Sequence, residues 1–189
     1  MCAGFMLVAP LGAVGLYETS RRLSIGQPAS LAAALTAVRK NALQIASMGV
    51  VLLLLLLFWI RLATLLFALF FAGVTPDLSN LVPMLLHSPV SLPFLITGTA
   101  LGGVLALIAY AISVISIPML LDRDTNVFAA IATSIKAVRT NPKPMLLWAF
   151  IIVFFTGLGM ATLFLGLAII FPLIGHASWH AYRDLVERV

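Results

Sequence analysis

His176 and His180 are the side chains in this sequence best spaced for chemistry. At i and i+4 on a helix both imidazoles lie on one face, where they could share a metal ion or each approach a haem. A complete site needs more ligands, and no carboxylate or thiol stands at ligand spacing beside them. The pair reads instead as interfacial polar groups, with His180 one turn from Asp184 and Trp179 one turn from Arg183. No metal is therefore assigned, and His87 reads as incidental.

Arg61 is the second candidate, because it sits inside a long apolar run. If that run crosses the membrane as far as Val74, Arg61 lies in its outer half, where a charge marks a functional site by default. If the crossing ends near Trp59, Arg61 is a headgroup anchor beside an aromatic belt residue, and Leu62 to Val74 is re-entrant or interfacial. Asp122, Arg123 and Asp124 resemble a carboxylate cluster. Their place after an apolar run and before Thr125 and Asn126 favours helix capping and interface marking instead. Glu18 with Arg22, Arg183 with Glu187 and Asp184 with Arg188 have the i, i+4 spacing of plain helix pairs. Glycine-rich phosphate loops, a Ser-His-Asp set and Cys-x-x-Cys are all absent from the sequence. With no nucleophile or base to name, the chain reads as no enzyme, and no cofactor is expected.

The elements that must position these residues are set by composition. Of 189 residues 62% are hydrophobic and only 9% charged, and the mean hydropathy is +1.16. A soluble fold of that composition would expose large apolar patches, so a bilayer is the expected solvent. The net charge of +5 does not point to nucleic acid, because the basic residues flank apolar runs and are not interleaved with base-stacking aromatics. Anionic lipid headgroups are the expected counter-charge. Cys2 is the lone cysteine, so no internal disulfide can form.

Ten of the eleven Lys and Arg residues fall in four short stretches: Arg21 and Arg22; Arg39 and Lys40; Arg123, Lys136, Arg139 and Lys143; Arg183 and Arg188. All four can be placed on one side of a membrane, and basic residues near helix ends stay in the cytoplasm. Five spans follow. Residues 1–20, apolar up to Glu18, cross inward, and an upstream helix is expected to precede this outward-facing start. Residues 28–41, PASLAAALTAVRKN, place Leu31, Leu35 and Val38 on one stripe of an amphipathic inner-surface helix. The run Ala42 to Val74 goes out, and at about 50 Å it must tilt, bend or overhang a core of about 30 Å. The loop Thr75 to Ser91 lies outside, with Asp77 and an interfacial patch Leu81 to Leu86. Leu92 to Leu121 returns, carrying Gly98 and Gly102 as a small-xxx-small face for a neighbouring helix. A second amphipathic helix, Asn126 to Arg139, carries Phe128, Ile131, Ile135 and Val138 and ends at Asn141-Pro142. Pro144 to Tyr182 has no charge and suits a tight hairpin that turns around Thr156-Gly157-Leu158-Gly159.

A shift of 100 positions superposes Ala29, Ala32, Ala37, Val38, Arg39 and Asn41 on Ala129, Ala132, Ala137, Val138, Arg139 and Asn141. The chain thus reads as one integral membrane domain, 1–189, with a parallel internal repeat over about 28–121 and 126–186. Such repeats occur in transporters and also in duplicated proteins that carry nothing.

GLYETSRRL at 15–23, SIPMLLDRD at 116–124, AVRTNPKPMLLW ending at Trp148, and above all FPLIGHASWHAYRDLV at 171–186 resemble a family of bacterial integral membrane proteins known only as a domain of unknown function. Its members are sometimes labelled cytochrome c oxidase subunits. The closing motif comprises Pro172, Gly175, His176, Trp179, His180, Tyr182, Arg183 and Asp184. The resemblance implies an accessory, non-catalytic inner-membrane protein with its C-terminus in the cytoplasm, associated with a membrane complex such as a terminal oxidase or with further copies of itself. The rival expectation is a small transporter or channel, resting on the repeat, Arg61 and the short hairpin.

Overall fold

The structure, a computed structural model, describes residues 2–72 and 88–186. Within these residues it is all helical. In order the elements are α1 (Cys2–Ser24), α2 (Leu31–Thr36), a 3-10 segment (Ala37–Asn41), α3 (Ala42–Phe70), α4 (Ser91–Ser113), α5 (Ser116–Asp122), α6 (Val127–Thr140), α7 (Pro142–Ala161) and α8 (Leu167–Val186). The loop expected around Asp77, its patch Leu81 to Leu86 and His87 lie outside the described residues, as do Glu187 and Arg188 with their expected pairs.

Among the described residues three helical runs are long and apolar enough to cross a bilayer: Leu31–Phe70, Ser91–Asp122 and Pro142–Ala161. The most apolar window of the first has no buried residue, and that of the third is 11% buried. Surface of this kind, with Leu54, Leu65, Phe150 and Val153 all exposed, is stable only against hydrocarbon. α1 and α8 are more polar, and their side chains meet at the centre of the molecule's larger unit.

The chain forms two compact units, one of residues 1–52 and 110–189 and one of residues 53–109. The core of the first is built on Trp179 and Tyr182 of α8, Val14 of α1, Ile45 and Met48 of α3, and Ile115 with Leu120 around α5. Full burial of side chains this large contributes roughly 1.5–3 kcal/mol each. α8 comes close to α1 because of Gly175: a Cβ there would lie 2.5 Å from Leu16 Cδ1 and 3.1 Å from Leu16 Cβ. In the second unit Phe94 meets the edges or faces of Phe67, Phe70 and Phe71 with ring centroids 5.3–6.2 Å apart. Such pairs add about 0.5–1.5 kcal/mol beyond burial.

The run expected as one span from Leu92 to Leu121 is broken at Val114 and Ile115. Pro118 causes this, since its ring excludes the carbonyl four residues earlier, that of Val114. The break is bridged from outside the helix. Ser134 Oγ of α6 accepts the Ile115 N–H at 3.2 Å and donates to Ala111 O at 2.7 Å, standing in the gap of the i to i−4 ladder. α5 beyond the break is buried from Ser116 to Leu121.

The C-terminal hairpin forms, but its turn is at 162–166 and not at Thr156 to Gly159. Gly157 and Gly159 lie within α7. Gly159 instead serves the close passage of the two arms, because a Cβ on it would be 2.6 Å from Leu167 Cδ2. The reversal is made by Leu163 and Phe164, with φ of 54° and 68°, a conformation costly for side chains of this type. Thr162 holds it, donating from Oγ1 to Gly159 O and accepting the Gly166 N–H.

Candidate functional site

Two of the basic stretches that the sequence separates, Arg21 with Arg22 and Arg39 with Lys40, meet around Glu18 in the larger unit. This carboxylate is the only acidic group before Asp77 and is 1% exposed. It accepts two bonds from Arg21, at 2.8 and 3.0 Å, and one from Lys40 at 2.7 Å. The expected pair with Arg22 does not form. Arg22 Nε instead donates to Pro28 O at 3.0 Å, fastening the turn after α1, whereas Arg21 one residue earlier lies over Glu18. Burial alone would raise the Glu18 pKa, but the hydrogen bonds from Arg21 and Lys40, with their charges, hold it below the usual carboxylate value. Glu18 lies beyond the last apolar turn of α1.

Beside this pair opens a cleft of about 570 Å³ lined by Glu18, Arg21, Arg22, Ala33, Thr36, Ala37, Arg39 and Lys40. Four cations thus face one carboxylate that is already paired. Arg39 and the terminal nitrogens of Arg22 have no protein acceptor among the described residues.

A second polar layer fastens the neighbouring helices. Tyr182 Oη donates to Asp122 Oδ2 at 2.9 Å, which gives Asp122 a partner across the core in place of a capping role; α6 is capped by Asn126, whose side chain accepts the Ala129 N–H. Arg123 and Asp124 are exposed. Asn41 Nδ2 donates to Leu120 O and Thr125 O, and Gln44 Oε1 accepts the Val127 N–H. The start of α3 therefore clasps the turn between α5 and α6.

His176 and His180 have different surroundings. His176 Nδ1 is 2.6 Å from Ser20 Oγ, a bond across the α1–α8 contact, while His180 is exposed. Among the described residues no group of three His, Cys, Asp or Glu could hold a metal ion. Trp179 and Tyr182 of the same motif are fully buried, and their rings lie 5.4 Å apart. Trp179 Nε1 has no partner among the described residues. Of the remaining motif residues, Pro172 lies inside α8, Arg183 is half-buried, and Asp184 is exposed.

In the smaller unit Arg61 is exposed on a helix that continues without a break to Phe70. Gly102 is in ordinary contact with Trp59, and Gly98 has nothing within 4 Å of where a Cβ would be. The residues that sequence reasoning missed, Ser20, Asn41, Gln44 and Ser134, are uncharged polar groups that bond across helices. Glu18 could have been found, as a lone acid among four cations.

A family model described as "Predicted integral membrane protein (DUF2189)" matches residues 1–122. The match takes in GLYETSRRL and the start of SIPMLLDRD, and the segments around Trp148 and 171–186 lie beyond its end. No curated protein and no solved structure matches the chain.

Proposed function

The chain belongs to the DUF2189 family of integral membrane proteins, and from that premise we propose that it is a non-catalytic accessory or assembly component of a complex in the bacterial inner membrane. It acts by helix packing. The observation that carries this reading is the way its polar groups are used: Glu18, His176, Asp122, Tyr182, Asn41 and Ser134 are all engaged in bonds that join one helix to another. They hold a scaffold together. Gly98 meanwhile offers a close-approach position that no part of the described chain fills.

The three apolar runs supply three crossings, and α1 and α8 add two more, for five. The N-terminus is then outside, and the C-terminus is in the cytoplasm. The convergence of Arg21, Arg22, Arg39, Lys40 and Asp122 at one end of the larger unit supports this threading, because those residues come from the ends of crossings that it assigns to one side. α2 and α6 lie along that inner surface, their largest apolar side chains, Leu31, Leu35 and Phe128, turned outward. Arg61, about 28 Å along α3 from Ala42, then falls at the outer headgroup level.

Extraction in a gentle detergent, followed by mass spectrometry and a visible spectrum, tests the proposal. Reproducible co-purification with other membrane subunits is expected; a protein found always alone contradicts the accessory role. A haem band that vanishes in His176→Ala/His180→Ala would assign the histidines a cofactor instead.

A further inference from the structure

We propose that the cleft between the end of α1 and α2 with its 3-10 segment is a binding site for one anionic phospholipid, whose phosphodiester headgroup lies among Arg21, Arg22, Arg39 and Lys40. The inference rests on the membrane placement above. Its first support is charge: four cations line the cleft against Glu18 alone, and Glu18 is turned inward and saturated by Arg21 and Lys40. A buried carboxylate in that position does more than neutralise. It fixes two cations at the back wall, while Arg39 and the terminal nitrogens of Arg22 remain without a protein acceptor among the described residues. Guanidinium groups suit phosphate oxygens because their donors form a planar fork. Thr36 cannot add a strong donor, since its Oγ1 already donates to Ala32 O.

The second support distinguishes a lipid from free phosphate. The segments that carry the cations also expose Leu23, Ile25, Leu31 and Leu35, at 57%, 52%, 77% and 75%. Leu31 and Leu35 come from the same six-residue helix that supplies the small side chain of Ala33 to the cleft wall. Cations lining the cleft and large apolar groups nearby match an amphiphile, with a charged head and hydrocarbon tails. Inorganic phosphate has no use for the second feature. The equivalent stretch of the repeat is an internal control. There Lys136 and Arg139 are exposed on a continuous helix, Thr140 replaces Lys40, and among the described residues no acidic side chain pairs with them.

Native mass spectrometry of the full purified chain, titrated with phosphatidylglycerol, phosphatidylcholine or inorganic phosphate, tests this. One phosphatidylglycerol should be retained per chain, in preference to phosphatidylcholine, with millimolar phosphate failing to displace it. R22Q/R39Q should weaken that binding roughly thirtyfold, R22K/R39K, which keeps the charge and loses the planar fork, should weaken it less, and K136Q/R139Q, which removes the same charge, should leave it unchanged. Equal losses in both glutamine variants would mean diffuse surface attraction and would overturn the site. Displacement by phosphate would overturn the lipid as its occupant. Release of the protein from membranes by alkaline carbonate would instead defeat the membrane placement, and it is read before any lipid is added.

Discussion

The two stretches related by a shift of 100 residues, 28–41 and 128–141, carry the same pattern and are built differently. In the first, the helix breaks into α2 and a tighter 3-10 segment; in the second, α6 runs unbroken for 14 residues. Ala37 and Ala137 are both fully buried, so the same small-residue face is packed inward in each. The differences lie in what the polar positions reach. Asn41 bonds across to Leu120 O and Thr125 O, whereas Asn141 turns back on its own helix, to Ala137 O and Thr140 Oγ1. Position 40 is a lysine drawn to Glu18, and position 140 is a threonine bonded to its own backbone. Position 134 is a serine that repairs the break at Ile115, and position 34 is an alanine. A shared pattern goes with the same packed face, and a few polar differences decide what each stretch grips.

Stability in detergent, followed by thermal or denaturant unfolding, is where this contrast is most easily broken. Ser134→Ala should have the largest effect, about 2–4 kcal/mol, because it orphans the Ile115 N–H and Ala111 O inside the core. Asn41→Ala should cost about 2 kcal/mol by freeing two carbonyls at once. Asn141→Ala at the equivalent position should cost less than about 1 kcal/mol, since its bonds are local and the end of α6 can reach solvent. Equal costs for the two asparagines would erase the difference argued here. Glu18→Gln should destabilise by about 1–2 kcal/mol at neutral pH, by leaving Arg21 and Lys40 facing a neutral amide. Because the folded carboxylate titrates below its ordinary value of 4.5, its contribution is full above that pH and is lost as pH falls through the lowered value. The melting temperatures of wild type and Glu18→Gln should therefore converge on acidification. A gap that widens in acid would reverse the sign of the interaction.

Much of the architecture was legible in the residues. Apolar runs bounded by Lys and Arg give helices long enough for a bilayer, and Pro142 opens α7 as the Asn141-Pro142 pair requires. Reading failed where a local cue competes with a distant contact. Gly157 and Gly159 look like a turn, yet the chain reverses at Leu163 and Phe164, because glycine was needed where the two arms meet. Leu92 to Leu121 reads as one span despite Pro118, and the serine that makes the break before it tolerable comes from α6. His176 and His180 suggested a shared ligand from spacing alone, and only the approach of α1 assigns His176 to Ser20. Glu18 drew attention as an i, i+4 partner of Arg22, and its partners proved to be Arg21 and, twenty-two residues away, Lys40.

Everything in the proposed threading depends on the two related stretches lying on the same face of the membrane. In a Cys2→Ser background, single cysteines at Thr36 and Lys136 can be reacted with a membrane-impermeant maleimide in sealed right-side-out and inverted vesicles. Both positions should label in inverted vesicles and stay protected in right-side-out ones. Labelling from opposite faces would contradict the account.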